Sequence, residues 1–310
     1  MPRCAFLTLN DSTGFVIDDE LAYPSLAALG WSVEAISWRT PSCDWRACDA
    51  VVIRSTWDYV ADPEGFLAVL CEIECTGVPL FNPLTLVRWN IRKTYLRDLA
   101  QRGVAVVPTI WRERLIPGEL PALIEKAGTN EVVIKPVVGL NAQGAFRLDA
   151  RSAGQPSADL RAYYADRALM VQPFLSHVVT EGEFSLIYFN GQLSHTILKT
   201  PQSRDFRVQE EHGGVIRAVQ PEAALHNAGA TALQALDSLP LYARADFVRS
   251  NDDRGFWLIE LELIEPSLYL RMDAGAPARF AQALHDRMNG VAFSPGPGQR
   301  GGFCRSFPQE

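Results

Sequence analysis

Three carboxylates between Leu241 and Ile264 stand at a spacing that could hold a metal ion. Two apolar segments are joined there by the turn Ser250-Asn251-Asp252-Asp253-Arg254-Gly255. Strand side chains alternate, so Arg244 and Asp246 share one face of the first segment, and Glu260 and Glu262 share one face of the second. A hairpin centred on Asp252 and Asp253 sets Asp246 opposite Glu260 and crowds three acids onto one surface. Like charges that close repel one another, so a cation has to compensate. Acid-bearing strands commonly just face water. Here, however, Trp257, Leu258, Ile259, Leu261, Leu263 and Ile264 are apolar on both faces, which argues for burial. Oxygen ligands without His or Cys suit Mg²⁺, as one or two ions, with Mn²⁺ as an alternative. The five histidines have no HxxxH spacing, which disfavours zinc.

A magnesium site of this kind usually meets a phosphate. Gly139 to Gly144 matches GxxxxG, but Ala145 and Phe146 stand where a Walker loop needs Lys and Ser or Thr. The lysine comes earlier, with Lys135 ending the apolar run Val132 to Ile134. Next to a small-residue loop it suits a phosphate better than bulk water. Lys93, on the helix expected after Trp89-Asn90, is a weaker candidate, since most helical lysines are surface residues. Met170 to Leu175 is an apolar strand running into Pro173, where the chain should leave its ladder. The linker Gln172-Pro173-Phe174-Leu175 could then bond an adenine edge under Phe174 and Leu175, although by composition alone such a stretch is more often an ordinary strand exit.

The elements that must position these groups read as α/β. The chain opens with strands Cys4 to Leu9, Val33 to Trp38 and Ala50 to Ile53, with a helix Asp18 to Leu29 between the first two. The third strand runs into a polar turn at 54–59, where a parallel sheet opens its binding crevice. A helix Pro63 to Cys75 and a short strand Val78 to Phe81 follow. Apolar spacing predicts a helix Asn90 to Arg102, strands Val104 to Pro108 and Val132 to Lys135 around a helix Leu120 to Ala127, and a strand Ala145 to Leu148. Residues 152–157 read as an exposed connection. Longer strands come next: Leu169 to Gln172, Glu183 to Phe189, Gln192 to Lys199, Tyr242 to Arg249 and Phe256 to Ile264. Helices are expected at Pro221 to Leu236 and Pro277 to Met288, and the Pro/Gly-rich residues 291–310 are expected to be disordered.

Composition narrows the function. The 310 residues carry 29 Lys and Arg against 36 Asp and Glu, a net charge of 29 − 36 = −7, which disfavours a nucleic-acid surface. Six cysteines without a CxxC pair, no secretory leader and no apolar run of membrane length point to a cytoplasmic protein with reduced thiols and no membrane partner.

Taken in order, Lys93, the Lys135-Pro136 loop, Gln172 to Leu175, Glu183, Arg244-x-Asp246 and Glu260-x-Glu262 resemble the ATP-grasp fold over nearly the whole chain. The resemblance implies three units: an N-terminal α/β substrate domain (1–88), a central lid (89–168) and a C-terminal antiparallel-sheet domain (169–290). It places Lys93 and Lys135 on the phosphates of ATP, Gln172, Pro173, Phe174 and Leu175 on adenine, Glu183 on the ribose, and Asp246, Glu260 and Glu262 on Mg²⁺. Glu262 departs from the Asn usual at the third metal position.

Within that superfamily, Val52 to Tyr59, Gly182 to Leu186, His195 to Pro201 and Asp205 to Gly214 are most similar to the cycloserine synthetase-like branch, the O-ureidoserine cyclo-ligases of antibiotic biosynthesis. The implied activity is an ATP-dependent ligase working through an acyl phosphate and cyclising O-ureidoserine. The alternative is a carboxylate–amine ligase that makes a dipeptide or modifies a small molecule or peptide. Phosphoryl transfer needs positioning and charge neutralisation more than a nucleophile. Arg244 and Arg207 are therefore the candidate catalytic residues. Arg54, Ser55, Trp57, Asp58, His195 and Lys199 are the candidate contacts to a small, amino-acid-like substrate, and a homo-oligomer stays open.

Overall fold

The computed structural model describes residues 1–290 except 140, 141 and 204, so the tail expected to be disordered lies outside the described residues. Three sheets organise it. The first is parallel, with strands β1 (Arg3–Thr8), β2 (Ser32–Ser37), β3 (Ala50–Ser55) and β4 (Leu80–Phe81) in the order β2-β1-β3-β4. All six residues of β3 are buried, as a doubly covered parallel strand requires. The second sheet contains β5 (Ile110–Arg112), β6 (Glu131–Pro136), β7 (Phe146–Asp149) and β8 (Leu169–Pro173) in the antiparallel order β5-β8-β6-β7. The third contains β9 (Glu183–Phe189), β10 (Gln192–Thr200), β11 (Val215–Val219), β12 (Tyr242–Arg249) and β13 (Phe256–Glu262), ordered β11-β10-β9-β12-β13 and also antiparallel.

Several local expectations are corrected. The helix expected over Asn90 to Arg102 is split into Leu84–Asn90 and Tyr95–Gln101, with Lys93 in the turn between them. Its amide donates to the Val137 carbonyl at 2.8 Å, tying that turn to the end of β6. The strand expected at Val104 to Pro108 is reduced to one bridge, Val106 to Leu258, and the pairing shifts to β5. Residues Ala150–Gly154 form a short helix with an Asp149/Ser152 capping box where an open connection was expected. Strand β8 belongs to the second sheet, so the passage to the third falls after Pro173 rather than at 168.

The first and third sheets share one core. Phe6, Leu26 and Val52 pack with Ile187, Phe189, Tyr242 and Phe280 of the terminal helix Ala276–Met288. Each such side chain contributes about 1.5–3 kcal/mol by leaving water. The open edge of β13 is covered by polar groups from elsewhere. Leu258 exchanges bonds with Ala105 and Val107, and Leu261 bonds the Tyr95 hydroxyl and the Asn90 amide. Leu263, just beyond the strand, bonds Asn90 and Asn82.

Candidate active site

Alternation along four neighbouring strands assembles the site. One face of the third sheet carries Glu183 and Ser185 on β9, Lys199 on β10, Arg244 and Asp246 on β12, and Glu260 and Glu262 on β13. Register puts Lys199 opposite Glu183, Ser185 opposite Asp246, Asp246 opposite Glu260 and Arg244 opposite Glu262. The hairpin read from the sequence is therefore the one found. The other face is apolar, with Leu186, Tyr188, Ala243 and Ala245 packed on the helix Ala223–Gln234.

Asp246, Glu260 and Glu262 each offer a carboxylate oxygen, all within 4.8 Å of one another. Cations offset this crowding. Arg244 lies 3.0 Å from Asp246 and also pairs with Glu262; Lys199 pairs with Glu183 and lies 3.5 Å from Asp246; Lys93 pairs with Glu260. Burial works against the Asp246 charge, yet Arg244 and Lys199 hold its carboxyl down at about 2. Burial dominates at Glu262 and pushes it up to about 7 against Arg244. An all-oxygen trio of this kind fits Mg²⁺, whose charge would hold Glu262 ionised.

A cleft runs over this surface toward the second sheet. Lys135, at the end of β6, lines it together with Glu183, Gly139 and Ala145. Among the described lysines and arginines lining the cleft, Lys135 is the one without an ion pair, and burial pulls its ammonium below its usual range. That is the electrostatic setting of a group awaiting an anion. The cleft continues into an apolar slot walled by Val107, Val133, Phe174, Leu175, Val248 and Ile259, the shape and polarity a purine needs. Gln172 and Pro173 line it too, the former fixed by a 2.9 Å bond to Thr109. The linker does not leave its ladder as expected: Pro173 still pairs with Val132, and Phe174 donates to the Glu131 carbonyl and accepts from Asn251.

Comparison with known proteins now bears on this geometry. Residues 4–82 match the N-terminal domain model of D-cycloserine synthetase DcsG. The cycloserine biosynthesis protein DcsG of Streptomyces lavendulae is 32% identical over 300 residues, covering 90% of this chain and 97% of the relative. The chain belongs to the D-cycloserine synthetase family of ATP-grasp enzymes. It is an ATP-dependent ligase. The crystal structure of D-cycloserine synthetase DcsG superposes with a TM-score of 0.81 at 29% identity, covering 92% of this chain and 99% of that one. D-alanine–D-alanine ligase from Bacillus anthracis, 13% identical with a TM-score of 0.69 over 94% and 98% of the two chains, shares the fold.

In this synthetase-family chain the remaining sequence candidates divide. Trp57 and Lys199 line the cleft. Arg54 and Ser55 do not: they are buried against Asp19, and Arg54 donates to the Pro266 carbonyl at 3.0 Å. Asp58 accepts from Trp38 and Arg39. His195 is buried with Nε2 3.0 Å from the Leu268 carbonyl, and burial lowers its basicity. Arg207 lines the apolar slot, held by Asp205 at 2.8 Å. Among the site residues that the sequence did not single out are Ser185 and Tyr269. Ser185, whose hydroxyl donates to Asp246, was signalled by its i+2 spacing from Glu183. Tyr269 lines the cleft from a left-handed backbone position, φ 48°, that no local pattern announces.

Proposed function

We propose that the chain closes O-ureidoserine into the cycloserine ring at the expense of ATP. What supports this reading most is its 32% identity to a cycloserine biosynthesis protein across 97% of that relative. The adenine lies in the slot beside Gln172, Pro173, Phe174 and Leu175, the ribose at Glu183, and the phosphates at Lys93 and Lys135. Asp246, Glu260 and Glu262 hold Mg²⁺, which when bound supplies charge neutralisation at the phosphates. The substrate carboxylate oxygen attacks the γ-phosphorus and ADP leaves. The substrate's own ureido nitrogen then attacks the acyl carbon, phosphate departs, and the nitrogen gives up a proton; the carbamoyl group that this nitrogen still carries leaves by hydrolysis, one water yielding ammonia and carbon dioxide and the ring nitrogen regaining its proton. Arg244 is placed to stabilise the oxyanion of that second step, and Lys199 keeps Glu183 and Asp246 in place.

Incubation of the protein with Mg²⁺, ATP and O-ureidoserine is expected to release ADP and phosphate without any second amino acid. A strict requirement for an added amine acceptor would replace this reading with an intermolecular ligase.

A further inference from the structure

The charges lining the cleft almost all neutralise one another. Glu260 is taken by Lys93, Glu183 by Lys199, and Asp246 and Glu262 by Arg244. Glu210 is taken by Arg271, which also binds Asp18 of the N-terminal unit at 2.7 Å. Among the described residues of the cleft, two charges have no partner: Lys135 and Glu211. They define a complementary ligand pair, an anion at Lys135 and a cation at Glu211. The first is met by a phosphate. The second calls for an amine.

We propose that Glu211 binds the ammonium group of the amino-acid substrate and selects against carboxylic acids that lack it. The inference rests on the ligase reading and assigns one of its specificity determinants. Glu211 sits on the single turn Glu210–His212 and lines the cleft with Trp57, Ser267 and Tyr269, none of which lines the purine slot.

The turn is built to hold its place. Gly213 donates to the Glu210 carbonyl at 2.8 Å and Gly214 to the Gln209 carbonyl at 3.1 Å, while Arg271 anchors the adjacent Glu210. A substrate whose carboxylate faces the Arg244 guanidinium must place its amine away from that cation, and the acids beside it are already paired. Glu211 is the acid left to receive it. Glu211 is exposed, where an ion pair counts for little; enclosure by bound substrate would make the hydrogen bond charge-assisted and worth considerably more.

The test compares ADP release from matched acids with and without the α-amine: O-ureidoserine and its des-amino counterpart, serine and 3-hydroxypropionate, alanine and propionate. The wild-type protein should favour the amine-bearing member, and Glu211→Gln should shrink that preference by roughly 10–100-fold, with KM for ATP unchanged. An undiminished preference in Glu211→Gln, equal use of both members by the wild type, or no ADP release with any pair overturns the assignment. If O-ureidoserine fails while another amine-bearing acid reacts, the cyclo-ligase reading falls, and Glu211 is judged on that other pair.

Discussion

Asp246 and Glu262 both contact Arg244, yet their carboxyls are pulled in opposite directions, to about 2 and about 7. Asp246 gains a second close cation in Lys199 and a hydroxyl donor in Ser185, whereas Glu262 has one ion pair, with Arg244, and only weaker help from Lys199 against burial and the neighbouring Glu260 and Asp246. Asp246 is thus ionised across the working range, while Glu262 must lose a proton before it can ligate a cation. Its raised value puts that loss between about pH 6 and 8, so Mg²⁺ should bind on the order of 10-fold more tightly at pH 8 than at pH 6. Calorimetric titration of the ATP-free protein at both values checks this, and Glu262→Gln should abolish the pH dependence. The facing of these acids could be read in advance because strand alternation is local and the hairpin turn fixes register. The partners of Arg54 could not: it sits next to the predicted crevice in sequence, but Asp19, 35 residues away, and Pro266, 212 residues away, claim its guanidinium.

Among the elements, the segment 205–214 depends most on one backbone approach. A Cβ on Gly214 would stand 2.0 Å from the Val208 carbonyl oxygen, and that oxygen belongs to backbone anchored by a buried side chain. Gly214→Ala must therefore displace the turn that carries Glu210 and Glu211. The expected outcome is a loss in kcat/KM for the amino-acid substrate on the order of 10-fold or more, with little change in Tm, checked by steady-state kinetics beside thermal melts. The strands of the third sheet were legible because their apolar runs are long. The weakly apolar strand Val215–Val219 was not, since an edge strand needs less burial to pair. The division of the helix expected at Asn90 to Arg102 likewise has no local cause in propensity. The Lys93 amide is drawn to Val137 and the Asn90 side chain to β13, and those tertiary bonds outweigh helical continuity.

For the molecule as a whole, the N-terminal and third sheets are joined through more than apolar contact. Asn82, fully buried, donates to the carbonyls of Tyr242 and Leu263 and accepts from the Leu241 amide. Asn82→Ala leaves those backbone groups unsatisfied, at a cost of about 2–5 kcal/mol. Calorimetry should show Tm lowered by roughly 5–10 °C, and the first and third sheets should still melt in one transition because their side chains share a core. Chain order and strand length were legible in the sequence, but not this sharing: neither Phe6 nor Phe280 carries any mark of its partner. The polar cover along β13 has a consequence of a different kind. An uncovered edge is a template on which another extended chain can add itself, and such edges seed aggregation and continuous-sheet dimers. With Ala105, Val107, Tyr95, Asn90 and Asn82 already occupying the bonding positions of Leu258, Leu261 and Leu263, that route is closed, and the strand bearing two of the proposed metal ligands is protected from it without spending a charged residue on the task.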